Sequence, residues 1–199
     1  MQISDGISFP DIKKQEPIII SASRATDIPA FYTDWLISRI EAGYIKWKNP
    51  FNGQIKDVSF AKTRLFVFWS KNPSPMLRKL SYFDEKGYNY YFQFTLNDYE
   101  QEKWEKNLPA LNQRLENFIE LSELIGNQKV IWRFDPFIIS DKLHPEELLK
   151  RIENIGDQIY AYTNRLVISF IDIDIYKRVK RNLSALPDEI KEIDIPTMN

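Results

Sequence analysis

The 199-residue chain contains no cysteine and a single histidine, His144. Disulfides, thiolate zinc sites, a cysteine nucleophile and cysteine-ligated iron–sulfur clusters are therefore closed to these residues. One histidine cannot build a multi-histidine metal centre, and its setting, DKLHPEE, reads as the exposed or capping residue ahead of a helix. A metal site would have to draw on carboxylates, with Asp27, Asp135, Asp172 and Asp174 the candidates, and none is assigned. Glycine is sparse, at six residues, and no glycine-rich phosphate loop is present. No apolar run approaches the roughly 20 residues that cross a bilayer. The first residues, MQISDGISFPDIKK, lack the apolar stretch of a secretory leader, so a cytoplasmic location is the expectation. The net charge of −1 predicts no broad attraction to nucleic acid or to anionic membranes.

What is abundant is aromatic. Phe, Trp and Tyr make up 14% of the chain, and many fall in five short apolar runs that end in polar clusters: IIISASRATD (18–27), LFVFWSKN (65–72), YYFQFTLND (90–98), VIWRFDP (130–136) and LVISFIDID (166–174). An amphipathic helical stretch follows each run. Unbroken apolar runs are what strands buried on both faces look like, and strands alternating with helices predict a parallel α/β sheet. The turn signal Asn52-Gly53, between two short alternating runs, predicts an inserted β-hairpin. Gly43 and Gly126 are placed to end helices. The expected architecture is a doubly wound sheet or, preferred, an incomplete TIM-like barrel of about five βα units. Residues 1–16 form a lead-in arm, 17–185 one domain, and 186–199 a truncated tail.

In α/β sheets ligands bind at the carboxyl ends of the strands, so the polar clusters mark a rim. Ser21 and Ser23 alternate on the first strand, and Arg24, Thr26 and Asp27 follow in its turn. There Asp27 either caps the next helix and pairs with Arg24, or helps to bind an anion. Lys71 and Asn72 follow strand two; Asn72-Pro73 is itself a turn signal, whereas Lys71 is a candidate anion-binding or catalytic amine. Gln93 and Thr95 share one strand face, and Phe92, Phe94 and Leu96 the other. Arg133 and Asp135 alternate on one face, which suits either an interior ion pair or a site where Asp135 orients Arg133 or acts as acid or base. Ser169 and Asp172 extend the rim, and Tyr176, Lys177, Arg178, Lys180 and Arg181 form a basic helical stretch.

The runs IISASRATDIPAFYTDW, KNPFN, VFWSKNPSPML, YYFQFTLNDYE, LSELIGNQKVIWRFDP and VISFIDI, in this order, resemble the bacterial family of domain-of-unknown-function number 1848 across roughly residues 17–185. The resemblance implies kinship with radical S-adenosylmethionine barrels. It also implies that full-length relatives carry a cysteine-rich tail holding a [4Fe–4S] cluster, which no residue of this chain supplies. Two functions follow as expectations. In the first, the rim binds an anionic small molecule, S-adenosylmethionine or a substrate, through Arg24, Lys71, Gln93, Thr95, Arg133 and Asp135. In the second, the chain is a truncated, non-catalytic module that forms a homodimer through an open barrel edge.

Overall fold

A computed structural model of the chain describes residues 15–22, 26–49, 52–171, 181 and 188–191. Its frame is a sheet of five parallel strands: β1 (Ile19–Ala22), β4 (Leu65–Ser70), β5 (Asn89–Thr95), β6 (Val130–Phe137) and β8 (Leu166–Phe170). They lie side by side in chain order, β1-β4-β5-β6-β8. That order departs from the doubly wound alternative the sequence left open. A doubly wound sheet reverses its strand order and covers both faces with helices, whereas same-handed crossovers between sequential neighbours put the helices on one side. The sheet is wound in one direction. No closed sheet occurs among the described residues, so the barrel expectation reduces to an open α/β sheet flanked by helices.

The expected hairpin is present, as β2 (Tyr44–Lys48) paired antiparallel with β3 (Ile55–Ser59). Its loop holds Gly53 at φ 71°, a left-handed conformation that glycine adopts without a Cβ penalty. The helical stretch expected after the first run and ended by Gly43 is broken in two, α1 (Ile28–Phe31) and α2 (Thr33–Glu41), because Tyr32 leaves helical dihedrals and the Thr33 hydroxyl donates back to the Pro29 carbonyl at 3.2 Å. The break turns the apolar face: Ile28, Leu36 and Ile40 are buried, while Phe31 is 73% exposed and Tyr44 belongs to β2. After β4 come two short helices, α3 (Ser74–Leu77) and α4 (Leu80–Glu85), then α5 (Leu111–Ile125) and α6 (Pro145–Ile159). On α5 the apolar stripe ends at half-buried Ile125, and Leu124 points outward. His144 precedes α6, exposed and making no side-chain cap bond. Within the stretch read as a tail, Ile190–Lys191 forms a strand, β9, antiparallel to β7 (Ile139–Ser140). The helix expected after β8 lies outside the described residues, apart from Arg181. No described helix is long and apolar enough to cross a membrane.

Alternation along the strands makes two unlike faces. On one, Phe66, Phe68, Phe92, Phe94, Val130 and Phe134 are fully buried against residues such as Phe83 of α4 and Phe118 of α5. Phe68 sits amid Phe66, Phe83 and Phe92, with ring centroids 5.9, 5.3 and 5.1 Å away. This aromatic layer is the core, and its burial from water is the main term holding the sheet to its helices. The alternate residues form the other face. There Ile19 and Ser21 are exposed, and Trp69, Tyr91, Thr95, Arg133, Asp135 and Ser169 are half-buried.

Candidate functional site

The half-buried face carries one polar chain of contacts that touches all five strands. The Trp69 indole Nε1–H donates to Ser21 Oγ at 3.0 Å, joining β1 to β4. The Arg133 guanidinium lies over the Trp69 ring, 4.8 Å from its centroid, and its Nη1 donates to Gln93 Oε1 of β5 at 3.3 Å. Nε of Arg133 donates to Asp135 Oδ2 at 2.9 Å, and Nη2 donates to the same oxygen. Ser169 of β8 donates its hydroxyl to Asp135 Oδ1. Register explains the assembly: Gln93 is level with Trp69 on one side and Ile131 on the other, and Thr95 is level with Arg133. Residues level with each other in neighbouring strands share a face. The result is a cation fixed on three sides, by a carboxylate, an amide and an aromatic ring.

A second network holds the rim above it. Asn97 clamps the Asp135 backbone, with Oδ1 accepting from the Asp135 N–H at 2.9 Å and Nδ2 donating to its carbonyl at 3.0 Å. Nδ2 also lies 3.2 Å from Glu105 Oε1, and the same oxygen accepts from Lys71 Nζ. Behind them the buried Arg114 donates from Nε to the Pro109 carbonyl at 3.0 Å and from Nη1 to the Asn97 carbonyl at 2.9 Å. It is ion-paired with Glu105 at 3.6 Å. Arg151 of α6 secures the same loop, reaching Glu102 with two bonds of 2.9 Å and the Asp98 carbonyl at 2.8 Å. Among the described residues no group of three or more metal-ligating side chains occurs.

Residues 19–198 match the sequence profile of the family described as Domain of unknown function (DUF1848). The chain belongs to that family. No curated protein and no solved structure matches it.

In this DUF1848 chain the predicted site residues divide into three groups. Ser21, Gln93, Thr95, Arg133 and Asp135 share the polar face. Asp27, Lys71 and Asn72 belong to the rim and are engaged there. Asp27 Oδ1 caps α1 by accepting from Ala30 N at 2.9 Å, and its Oδ2 accepts from Lys71 N at 2.8 Å. The Ser70 hydroxyl lies against both oxygens, at 2.8 and 3.0 Å. Of the two roles open to Asp27, it fills the capping one, although its bonds run to β4 and the Arg24 side lies outside the described residues. Asn72 accepts from Asn117 Nδ2 at 3.1 Å, which ties the turn to α5. Ser23, Arg24 and Asp172 form the third group, outside the described residues, as do Asp174 and most of the basic stretch. Sequence reasoning missed Trp69, Asn97, Glu105 and Arg114. Trp69 was findable, since it alternates with Lys71 on strand two; the other three are loop and helix residues with no periodic signal.

Burial pushes the Asp27 carboxyl above its ordinary value of 3.8, and the N–H groups of Lys71 and Ala30 and the Ser70 hydroxyl offset this only in part. The folded state therefore holds this proton more tightly than the unfolded chain does. The stability so contributed is fully present below 3.8 and is lost as pH rises through the raised value. Asn at this position does not titrate. In urea unfolding across the acidic range, the stability of wild type minus that of Asp27→Asn should fall as pH rises through that window; a difference that grows would refute the sign.

Proposed function

We propose that the polar face of the sheet binds a small anionic molecule with Arg133 as its anchor. One observation carries the reading. A guanidinium has five N–H donors, and Arg133 uses Nε and one hydrogen on each terminal nitrogen for Asp135 and Gln93. The second N–H on each terminal nitrogen has no partner among the described residues. A fork of donors whose orientation is already set by three neighbours loses little further freedom when a carboxylate or phosphate arrives. Asp135 orients the fork, Ser169 and Asn97 hold Asp135, and Trp69 supplies a flat apolar wall. Lys71 contributes less charge than its position suggests, because Glu105 neutralises it.

The kinship with radical S-adenosylmethionine barrels belongs to the same proposal. A one-way parallel sheet whose uncovered face is polar is what one wall of such a barrel would be. The residues present do not fit a [4Fe–4S] cluster, since the chain has no thiolate to ligate iron. Binding is the activity read from these side chains.

Titrating the ¹⁵N-labelled chain with acetate and with inorganic phosphate tests the anchor. The Trp69 indole N–H resonance, assigned with Trp69→Phe, should move in wild type and stay still in Arg133→Gln, with circular dichroism showing both folded. An unmoved Trp69 signal with both anions in wild type would overturn the reading. The second reading, a module that pairs through the sheet edge, is favoured by Leu166, Ile168 and Phe170 of β8, which are 39%, 39% and 42% exposed. Sedimentation equilibrium separates the two, because only this reading requires a dimer at low micromolar concentration.

A further inference from the structure

Below the Arg133–Asp135 pair the polar face runs into an open cleft of about 570 Å³ at the amino ends of β5, β6 and β8. Tyr91, Gln93 and Ile131 line it from the sheet, and Lys129, Asn164 and Arg165 from the residues just before β6 and β8. None of its lining residues carries a carboxylate. Lys129 lies over the Tyr90 ring, 5.4 Å from the centroid, and neither it nor Arg165 forms an ion pair among the described residues. The contrast with the upper part of the face is one of charge. There Arg133 is balanced by Asp135 and Lys71 by Glu105, so the upper part offers directed donors, whereas the cleft offers net positive potential.

Gln93 connects the two. It is only 9% exposed. Arg133 can only donate, so the oxygen of the Gln93 carboxamide must face it, and the NH₂ is turned elsewhere. That NH₂ has no acceptor among the described residues and reaches the open cleft, where it can donate to water or to a ligand. Register sets the scale. Gln93 is level with Ile131, and the pairing of Trp132 with Leu166 places Arg165 level with Ile131. Arg133 therefore stands two residues, roughly 6.6 Å, higher along the strands and one strand spacing of about 4.8 Å to the side of Arg165.

We infer that the ligand of this face is an elongated molecule with an anionic group at each end, one on the unused N–H groups of Arg133 and the other on Arg165 and Lys129, with the Gln93 NH₂ offering a further donor beside the first group, on the opposite side of β6 from Arg165. The inference rests on the reading of Arg133 as anchor. Its test is a series of α,ω-dicarboxylates from succinate to suberate, compared with acetate at constant ionic strength and followed through the Trp69 indole resonance. One chain length should bind roughly ten- to a hundredfold tighter than acetate, the value of one further charge-assisted contact. Combining Lys129→Gln with Arg165→Gln should return that diacid to the acetate level and leave the acetate response as it was. Diacids no tighter than acetate at any length, or a preferred diacid indifferent to the double variant, overturn the two-ended ligand. If those results come with an acetate response that Arg133→Gln abolishes, the single anchor stands alone. If Arg133→Gln leaves both responses intact, the anchor itself is wrong, and the inference falls with it.

Discussion

Arg114→Ala is expected to lower stability by about 3–5 kcal/mol, the range for removing one partner of a buried ion pair. The Arg114 side chain is 2% exposed, and it serves four groups at once: the carbonyls of Pro109 and Asn97 and the carboxylates of Glu105 and, at 3.7 Å, Glu100. Glu105 Oε2 is buried and accepts no hydrogen bond among the described residues, and the positive charge 3.6 Å away is what offsets its burial there. Alanine would strand two carbonyls and leave that oxygen uncompensated, with Lys71 on Oε1 as the remaining counter-charge. Arg114→Lys keeps the charge but cannot span both carbonyls with a planar fork, and should cost about 1–3 kcal/mol. Chemical denaturation of the three proteins gives both values. A loss under about 1 kcal/mol for alanine would mean that water replaces the guanidinium, and the loop over the rim would then not depend on it.

The second large effect concerns Arg133 and Asp135. Their side chains are 14% and 25% exposed, so the pair lies between a dry interior bridge and a solvated one. Each single change to alanine should cost about 1–3 kcal/mol, below the range for fully buried pairs, because solvent reaches the partner left behind. Arg133→Ala also frees Gln93 and uncovers Trp69, and Asp135→Ala removes the acceptor of the Ser169 hydroxyl. Combining the two changes, Arg133→Ala with Asp135→Ala, should cost clearly less than the sum of the singles, with a coupling of about 1–2 kcal/mol. Thermal and urea unfolding of the four proteins closes the cycle. Strict additivity would show that the two side chains do not interact, and the proposed anchor would lose its orienting partner.

The existence of two unlike faces was legible in the sequence. FQFT and RFD alternate large apolar with polar residues, and a strand's side-chain period is two whatever surrounds it. From that, Gln93 could be placed with Thr95, and Arg133 with Asp135, without knowing any fold. The same local logic located the hairpin at Asn52-Gly53. It failed where a residue's environment comes from a distant segment. Arg114 reads as a polar position on an amphipathic helix, yet it is among the most buried side chains because the loop after β5 folds across it. Lys71 reads as a free amine because Glu105, far along the chain, carries no mark of being its partner.

By itself, then, the sequence determined the order of strands and helices, the aromatic core and the side of each strand that bears polar groups, since these follow from periodicity and turn chemistry within a few residues. The tertiary structure decided that the sheet winds one way, that Trp69 bridges Ser21 and Arg133, that Asp27 caps a helix while binding β4, and that a cleft without carboxylates opens below Gln93. Each of those depends on the register between strands and on loops that bring remote residues within hydrogen-bond reach. A hydrogen bond acts over about 3 Å in space, and nothing in the spacing of residues along the chain encodes which distant group will arrive there.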